Sequence, residues 1–106
     1  MTQPVYRVDK VTVAIGKSMP PALIIEVDGT ASSAGWSNFT LTKRIYTHWP
    51  EDGVQDYDLV GDKPGDDLVH IEVLTPFRTT HTEPLEDRVR GVRIHAATNM
   101  IEATVP

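Results

Sequence analysis

The residues from 91 to 105 read GVRIHAATNMIEATV and carry the clearest strand pattern in the chain. Apolar side chains alternate with polar ones on both sides of Thr98-Asn99; the apolar positions are Val92, Ile94, Ala96, Ile101, Ala103 and Val105. A hairpin centred on Thr98-Asn99 places all of them on one face. It pairs Ala96 with Ile101 on that face and His95 with Glu102 on the other.

The rest of the chain shows the same period-two alternation, with turn residues between the apolar runs. Further strands are predicted over 6–15, 23–28, 38–46, 57–59 and 69–77. The apolar parity changes at Asp9-Lys10, which predicts a β-bulge. Pro76 predicts an edge or a strand end, and residues 79–84 are predicted to form a loop. The core expected from these faces consists of Ile25, Val27, Phe39, Leu41, Ile71, Val73, Ile94 and Ile101.

Six to seven short strands without helical periodicity predict an all-β fold. The preferred architecture is an antiparallel, immunoglobulin-like β-sandwich, because each strand has one apolar face and the turns are irregular. A small β-barrel is the alternative. The chain has 106 residues, which suffice for one core, so a single domain over 1–106 is predicted.

Composition excludes several classes of function. The formal net charge of −5 argues against nucleic-acid binding, which relies on lysine and arginine along the phosphates. The local basic enrichment at Arg88, Arg90 and Arg93 is interpreted as a solvated strand surface. The chain has no cysteine, so disulfides and thiolate metal sites are excluded. The sequence contains no apolar run of the roughly 20 residues that a membrane-spanning helix needs. Residues 1–4 do not show an export signal.

Patterns for metal binding and catalysis are weak. The stretch 51–67 holds seven acidic residues and one basic residue; it is interpreted as turn-forming surface acids, with a calcium site as the alternative. His70 and Glu72 share a strand face and are the nearest approach to a zinc or copper pair. No Gly-x-Ser-x-Gly or His-Glu-x-x-His motif is present. We therefore predict no catalytic residue, no metal and no cofactor.

Four aromatic or imidazole side chains are the candidate ligand-binding residues: Trp36, Tyr46, His48 and Trp49. Exposed aromatic residues on the loops of sandwich folds commonly hold peptides or sugars. Trp36 follows a loop of small residues, and Trp49 lies between His48 and Pro50, so one interpretation places both tryptophans, exposed, at the same end of the sandwich. The preferred interpretation is that each tryptophan closes an end of the core.

Three segments resemble small bacterial proteins, often exported, that have no known activity. They are GWSN at 35–38 with Leu41 downstream, DYDLV at 56–60, and RGVRIHAATN at 90–99. The resemblance implies a bacterial source and an envelope location, and it implies no activity and no site residues. A periplasmic or secreted location is expected if an export signal has been removed, and a cytoplasmic one otherwise.

The function predicted from these observations is non-catalytic binding of a protein, peptide or glycan by a monomer or a weak homodimer. One alternative is a small peptidase inhibitor, because the chagasin-like cysteine peptidase inhibitors are cysteine-free sandwiches of this length that use three loops at one end. Their loop motifs are echoed faintly by residues 34–36 and 48–50. A metal-dependent enzyme is the second alternative.

Overall fold

The computed structural model describes residues 2–65 and 72–106, which form eight β-strands and no helix. The strands are β1 (Thr2–Pro4), β2 (Arg7–Gly16), β3 (Ala22–Ala31), β4 (Ser37–Lys43), β5 (Val54–Asp62), β6 (Thr75–Pro84), β7 (Gly91–His95) and β8 (Met100–Thr104). The all-β prediction is confirmed, although the strands outnumber the six to seven expected. No helix in this described part has the length and apolar character needed to cross a membrane.

The strands form two sheets, one of five strands and one of three, and neither closes into a barrel. In the larger sheet β4 pairs with one edge of β5, while β1 and β7 pair in succession with the other edge; β8 pairs with β7. In the smaller sheet β3 lies between β2 and β6. The predicted fully antiparallel arrangement is wrong for β5 and β7, which run parallel. Between β5 and β7 the chain crosses to the smaller sheet, where it forms β6. Two parallel strands require a crossover connection of this kind.

The hairpin of β7 and β8 is present, but its register differs from the prediction. Ile94 pairs with Ile101 and Arg93 pairs with Glu102, so the predicted pairs of Ala96 with Ile101 and of His95 with Glu102 are wrong. The displacement is two residues, and because side chains alternate with a period of two, the apolar residues stay on one face.

Hydrogen bonds from the turn to Val5 and Tyr6, which precede β2, and to Val8 at the start of β2 explain this register. The N–H groups of Ala97 and Thr98 donate to the carbonyl oxygens of Val5 (2.7 Å) and Tyr6 (3.1 Å). Asn99 bonds both backbone groups of Val8: its Oδ1 accepts from Val8 N at 2.9 Å and its Nδ2 donates to Val8 O at 2.8 Å. The tight turn therefore lies at Ala97-Thr98, one residue before the predicted centre.

Other strand boundaries also differ from the predictions. The bulge is confirmed as a register shift between Val8 and Lys10. The strand predicted over 69–77 is wrong at Val73 and Leu74, which precede β6, and residues 66–71 lie outside the described residues. The predicted loop over 79–84 is strand, and β3 extends to Ala31. β4 ends at Lys43 and leaves Ile45 with 97% of its surface exposed.

The core lies between the sheets and draws buried residues from both. Burial is confirmed for four of the predicted core residues: Ile25, Val27, Leu41 and Ile94. Phe39 and Ile101 are partly buried and pack against this core. Val73 is 51% exposed, so its prediction is wrong. Ile71 lies outside the described residues.

A pair of stacked phenylalanines connects the two sheets. Phe39 of β4 and Phe77 of β6 have ring centroids 3.7 Å apart and an interplanar angle of 7°. Glycines make room for both rings: a Cβ at Gly29 would lie 2.6 Å from Phe77 Cζ, and one at Gly61 would lie 3.0 Å from Phe39 Cδ1. A larger residue in place of Gly29 would therefore collide with the Phe77 ring, and one in place of Gly61 would crowd the Phe39 ring.

A polar cluster also joins the sheets. The buried Tyr57 donates its hydroxyl to Glu83 Oε1 (2.5 Å), and Lys43 Nζ lies 2.8 Å from Glu83 Oε2. His81 Nε2 is 2.9 Å from Glu83 Oε1. Burial alone would raise the pKa of Glu83, but these three partners outweigh it and hold the pKa below its ordinary value. Glu83 is therefore a carboxylate that partners from three strands stabilise.

Candidate functional site

Tyr46 and Trp49, two of the four candidate binding residues, lie together in the loop between β4 and β5. Their rings meet edge to face, with centroids 5.7 Å apart. Both side chains are partly buried, and His48 between them is exposed. The loop thus presents a partly buried aromatic pair at the surface.

Trp36 lies at the opposite end of β4 from this pair. It precedes the first residue of the strand, packs against the core and donates Nε1 to Ser33 Oγ at 3.1 Å. The seven residues of β4 span roughly 20 Å at the usual rise of a strand. The interpretation in which one end presents both tryptophans is therefore wrong, whereas Trp36 packs against the core as the preferred interpretation has it. Residues 34–36 and 48–50, which echo the inhibitor loops, are separated in the same way.

Backbone and side-chain bonds to β5 fix the position of Tyr46. Its hydroxyl donates to Asp56 Oδ2 at 2.6 Å and accepts from Asp56 N at 2.7 Å. Burial, followed by the hydrogen bond to Asp56, raises the pKa of Tyr46, so the phenol keeps its proton at neutral pH. Asp56 also contacts His95 Nε2 (2.7 Å) and Arg93 Nη1 (3.1 Å).

These partners set the charge of Asp56. Burial alone would raise its pKa, but the hydrogen bonds from His95, Tyr46 and Arg93 outweigh burial and lower the pKa. Asp56 is thus ionised and saturated with donors. The nearby Asp58 pairs with Arg44 at 2.8 Å, and this bond lowers the pKa of Asp58.

The loop between β6 and β7 packs against the loop between β4 and β5 and completes the site. The Arg88 guanidinium lies 4.2 Å from the centroid of the Trp49 ring, a cation–π contact. Backbone bonds hold the two loops together, since Arg90 N donates to Gly53 O at 2.9 Å. Gly53 has φ of +71° and accepts the turn that brings the loop back toward β5.

A cleft of about 330 Å³ opens between these loops, and we refer to it as the Trp49 cleft. Its lining includes Lys43, Arg44, Ile45, Tyr46, Trp49, Gln55 and Arg88. Gln55 is 1% exposed, and its Nε2 donates to the carbonyl oxygens of Arg44 (2.8 Å) and Asp56 (3.0 Å). Within the described residues its Oε1 accepts no hydrogen bond. A second cleft lies on the other side of Trp49 and Arg88.

Sequence reasoning found the aromatic pair but missed the residues around it. Arg88 was grouped with Arg90 and Arg93 as a solvated strand surface, whereas Arg88 lies in a loop over Trp49 and Arg93 lies on β7. The basic enrichment next to an acidic background was the available signal. Gln55 carried none, because a glutamine between Val54 and Asp56 gives no indication that it is buried.

The described residues contain no group of three or more histidine, aspartate or glutamate side chains placed to hold a metal ion. Asp56, Asp58 and Asp62 of the acidic stretch are bonded to protein donors. Asp66, Asp67 and His70, to which parts of the calcium and zinc alternatives refer, lie outside the described residues.

Comparison of the chain with protein-family models, curated proteins and solved structures found no match. The Trp49 cleft is therefore the feature of the molecule from which a function can be inferred.

Proposed function

We propose that this chain is a non-catalytic binding domain that holds a protein, peptide or glycan ligand in the Trp49 cleft. The observation that carries the proposal is the grouping of Tyr46, Trp49 and Arg88 around one cleft, with Ile45 fully exposed beside it. Tryptophan, tyrosine and arginine are the residue types that contribute most to binding energy at interfaces.

The rigidity of the cleft supports the same function. Tyr46 is held by two bonds to Asp56, and Gln55 is held by two bonds to backbone oxygens. Side chains that are already ordered lose less conformational entropy when a ligand binds. The immunoglobulin-like class predicted for the fold is part of this proposal, since domains of that class bind through loops between two packed sheets.

The two alternative functions have less support. A wedge of the inhibitor type needs its loops at one end of the fold, and residues 34–36 lie at the other end of β4 from residues 48–50. For a metal-dependent enzyme, no observation among the described residues argues in favour. We therefore propose binding without catalysis.

The test is a selection against the immobilised protein with a phage library of random twelve-residue peptides, and a parallel screen on a printed glycan array. We expect ligands that bind the parent protein and lose binding to Trp49→Ala. Trp36→Phe is the matched control, because it alters the other tryptophan and leaves the cleft intact. Circular dichroism checks that each variant is folded. Recovery of no ligand, or of ligands indifferent to Trp49→Ala, would overturn the proposal.

A further inference from the structure

We infer that the ligand of the Trp49 cleft is an acidic peptide segment of a partner protein, in which an apolar side chain stands next to a carboxylate. This inference rests on the proposed function and gives its ligand a chemical class. Charge, available donors, apolar exposure and the covering of Trp49 support it independently.

The charged side chains that line the cleft are all cations, and each is paired with a carboxylate outside the lining: Lys43 with Glu83, Arg44 with Asp58 and Arg88 with Glu86. Lys43, Arg44 and Arg88 are its charged lining residues, and no carboxylate of the described residues lines it. The chain as a whole has a net charge of −5. Cations at the lining favour a carboxylate on the ligand at short range.

The two arginines retain hydrogen-bond donors for such a partner. Arg44 uses Nε and Nη2 on Asp58, and Arg88 uses Nε on Glu86. A guanidinium carries five N–H groups, so both have donors left over within the described residues. The hydrogen bond that Arg44 donates to Asp58 raises the pKa of Arg44, which keeps that guanidinium charged. A carboxylate in the cleft would receive charge-assisted hydrogen bonds from them.

The apolar part of the site is Ile45, which lines the cleft and is 97% exposed. It follows β4 and immediately precedes Tyr46, so it offers an exposed apolar side chain to a ligand in the cleft. Burying an isoleucine against a partner side chain removes a large apolar area from water. An apolar residue beside a carboxylate on the ligand would match Ile45 beside Arg44.

The covering of Trp49 favours a peptide over a sugar. Sugars bind proteins by stacking on an open aromatic face, and the Arg88 guanidinium already lies 4.2 Å above one face of Trp49. A peptide needs no such face and offers backbone N–H groups. Gln55 also lines the cleft, and no described residue donates a hydrogen bond to its Oε1.

The experiment takes the tightest peptide from the phage selection and its amide counterpart, in which every aspartate becomes asparagine and every glutamate becomes glutamine. Binding of both is measured by calorimetry at low and high sodium chloride concentrations. Arg44→Gln and Arg88→Gln test the cleft. Arg78→Gln is the matched control, because Arg78 pairs with Asp28 on the three-stranded sheet and does not line the cleft.

We expect the selected peptides to be acidic and the amide counterpart to bind about tenfold more weakly or worse, since charge-assisted bonds are lost. Each arginine variant should weaken binding about three- to tenfold, Arg78→Gln should leave it unchanged, and salt should weaken the acidic peptide. Neutral peptides, or glycans alone, that bind through Trp49 would overturn this inference and leave the proposed function standing. Absence of any Trp49-dependent ligand would overturn the proposed function itself.

Discussion

Asn99 substitutes for a strand partner of Val8, because its amide bonds both backbone groups of that residue. Replacing it with alanine leaves a partly buried N–H and C=O without their partner. We expect Asn99→Ala to lower the free energy of unfolding by about 1 to 3 kcal/mol, measured by urea denaturation. Thr104→Ala, at an exposed position of β8, should change it by less than about 0.5 kcal/mol. Equal effects of the two substitutions would contradict this role for Asn99.

Glu83 makes stability depend on pH, because its pKa is lower in the folded protein than its ordinary value of 4.5. A depressed folded pKa stabilises the protein above the unfolded value, and the contribution is lost as pH falls through the folded value. We expect the free energy of unfolding to fall as the pH is lowered from 6 to an acidic value. The fall should be about 1 kcal/mol larger in the parent than in Glu83→Gln.

The matched control for this pH dependence is Glu51→Gln, in the exposed turn before β5. It should reproduce the difference in stability that the parent shows between the two pH values. If Glu83→Gln also reproduces it, the cluster of Lys43, Tyr57, His81 and Glu83 contributes nothing to acid sensitivity.

At the residue scale, two of the four candidate binding residues predicted from the sequence, Tyr46 and Trp49, line the Trp49 cleft. Aromatic side chains in a loop are visible in a sequence. The distance of Trp36 from Trp49 is not, because it depends on the length of β4 between the tryptophans. Arg88 approaches Trp49 through the packing of two loops distant in sequence, and nothing local in the chain encodes that contact.

At the scale of the elements, the β7–β8 register can be tested with paired cysteines, since the chain has none of its own. Arg93 faces Glu102 directly, so the double variant Arg93→Cys with Glu102→Cys should form a disulfide under mild oxidation. The double variant His95→Cys with Glu102→Cys would form a disulfide only if the hairpin were centred on Thr98-Asn99. In the observed register it should stay reduced. Thiol titration distinguishes the two, and the opposite result would show that the hairpin turns at Thr98-Asn99.

The hairpin shows which part of an element the sequence determines. Alternation predicts the buried face of β7 and β8, and this face is unchanged by a displacement of two residues. The register is decided by Val5, Tyr6 and Val8, which bond the turn from distant positions. A pattern within the hairpin cannot contain that information.

β6 shows a second reason why strand prediction failed. Its odd-numbered residues are the less exposed ones throughout, but beyond Phe77 they are Thr79, His81 and Glu83. These polar side chains face inward because they have partners there: Thr79 donates to Phe39 O, and His81 and Glu83 join the Tyr57 cluster. Hydrophobic alternation disappears where a strand buries satisfied polar groups, so the pattern of residues 79–84 predicts a loop.

For the whole molecule, one core shared by both sheets predicts one cooperative unfolding transition. Ile25 lies in the smaller sheet and Ile94 in the larger, and both are fully buried. We expect Ile25→Ala and Ile94→Ala each to lower the free energy of unfolding by about 2 to 5 kcal/mol. Circular dichroism and tryptophan fluorescence should report the same midpoint in each variant.

Ile45→Ala is the control for these substitutions, because the same side chain is removed from a position that is 97% exposed. It should change stability by less than about 0.5 kcal/mol. Should Ile25→Ala move the transition seen by circular dichroism and not that seen by fluorescence, the two sheets would be unfolding independently.

The stacked pair of Phe39 and Phe77 makes the distance between the two sheets measurable through ring-current shifts in the NMR spectrum. The rings are nearly parallel with centroids 3.7 Å apart, so each shields the protons of the other and shifts their resonances upfield. These two are the only phenylalanines in the chain, so phenylalanine-selective labelling yields a spectrum of these rings alone. Any loosening between the sheets, whether by ligand, heat or substitution, would move those resonances toward their random-coil positions.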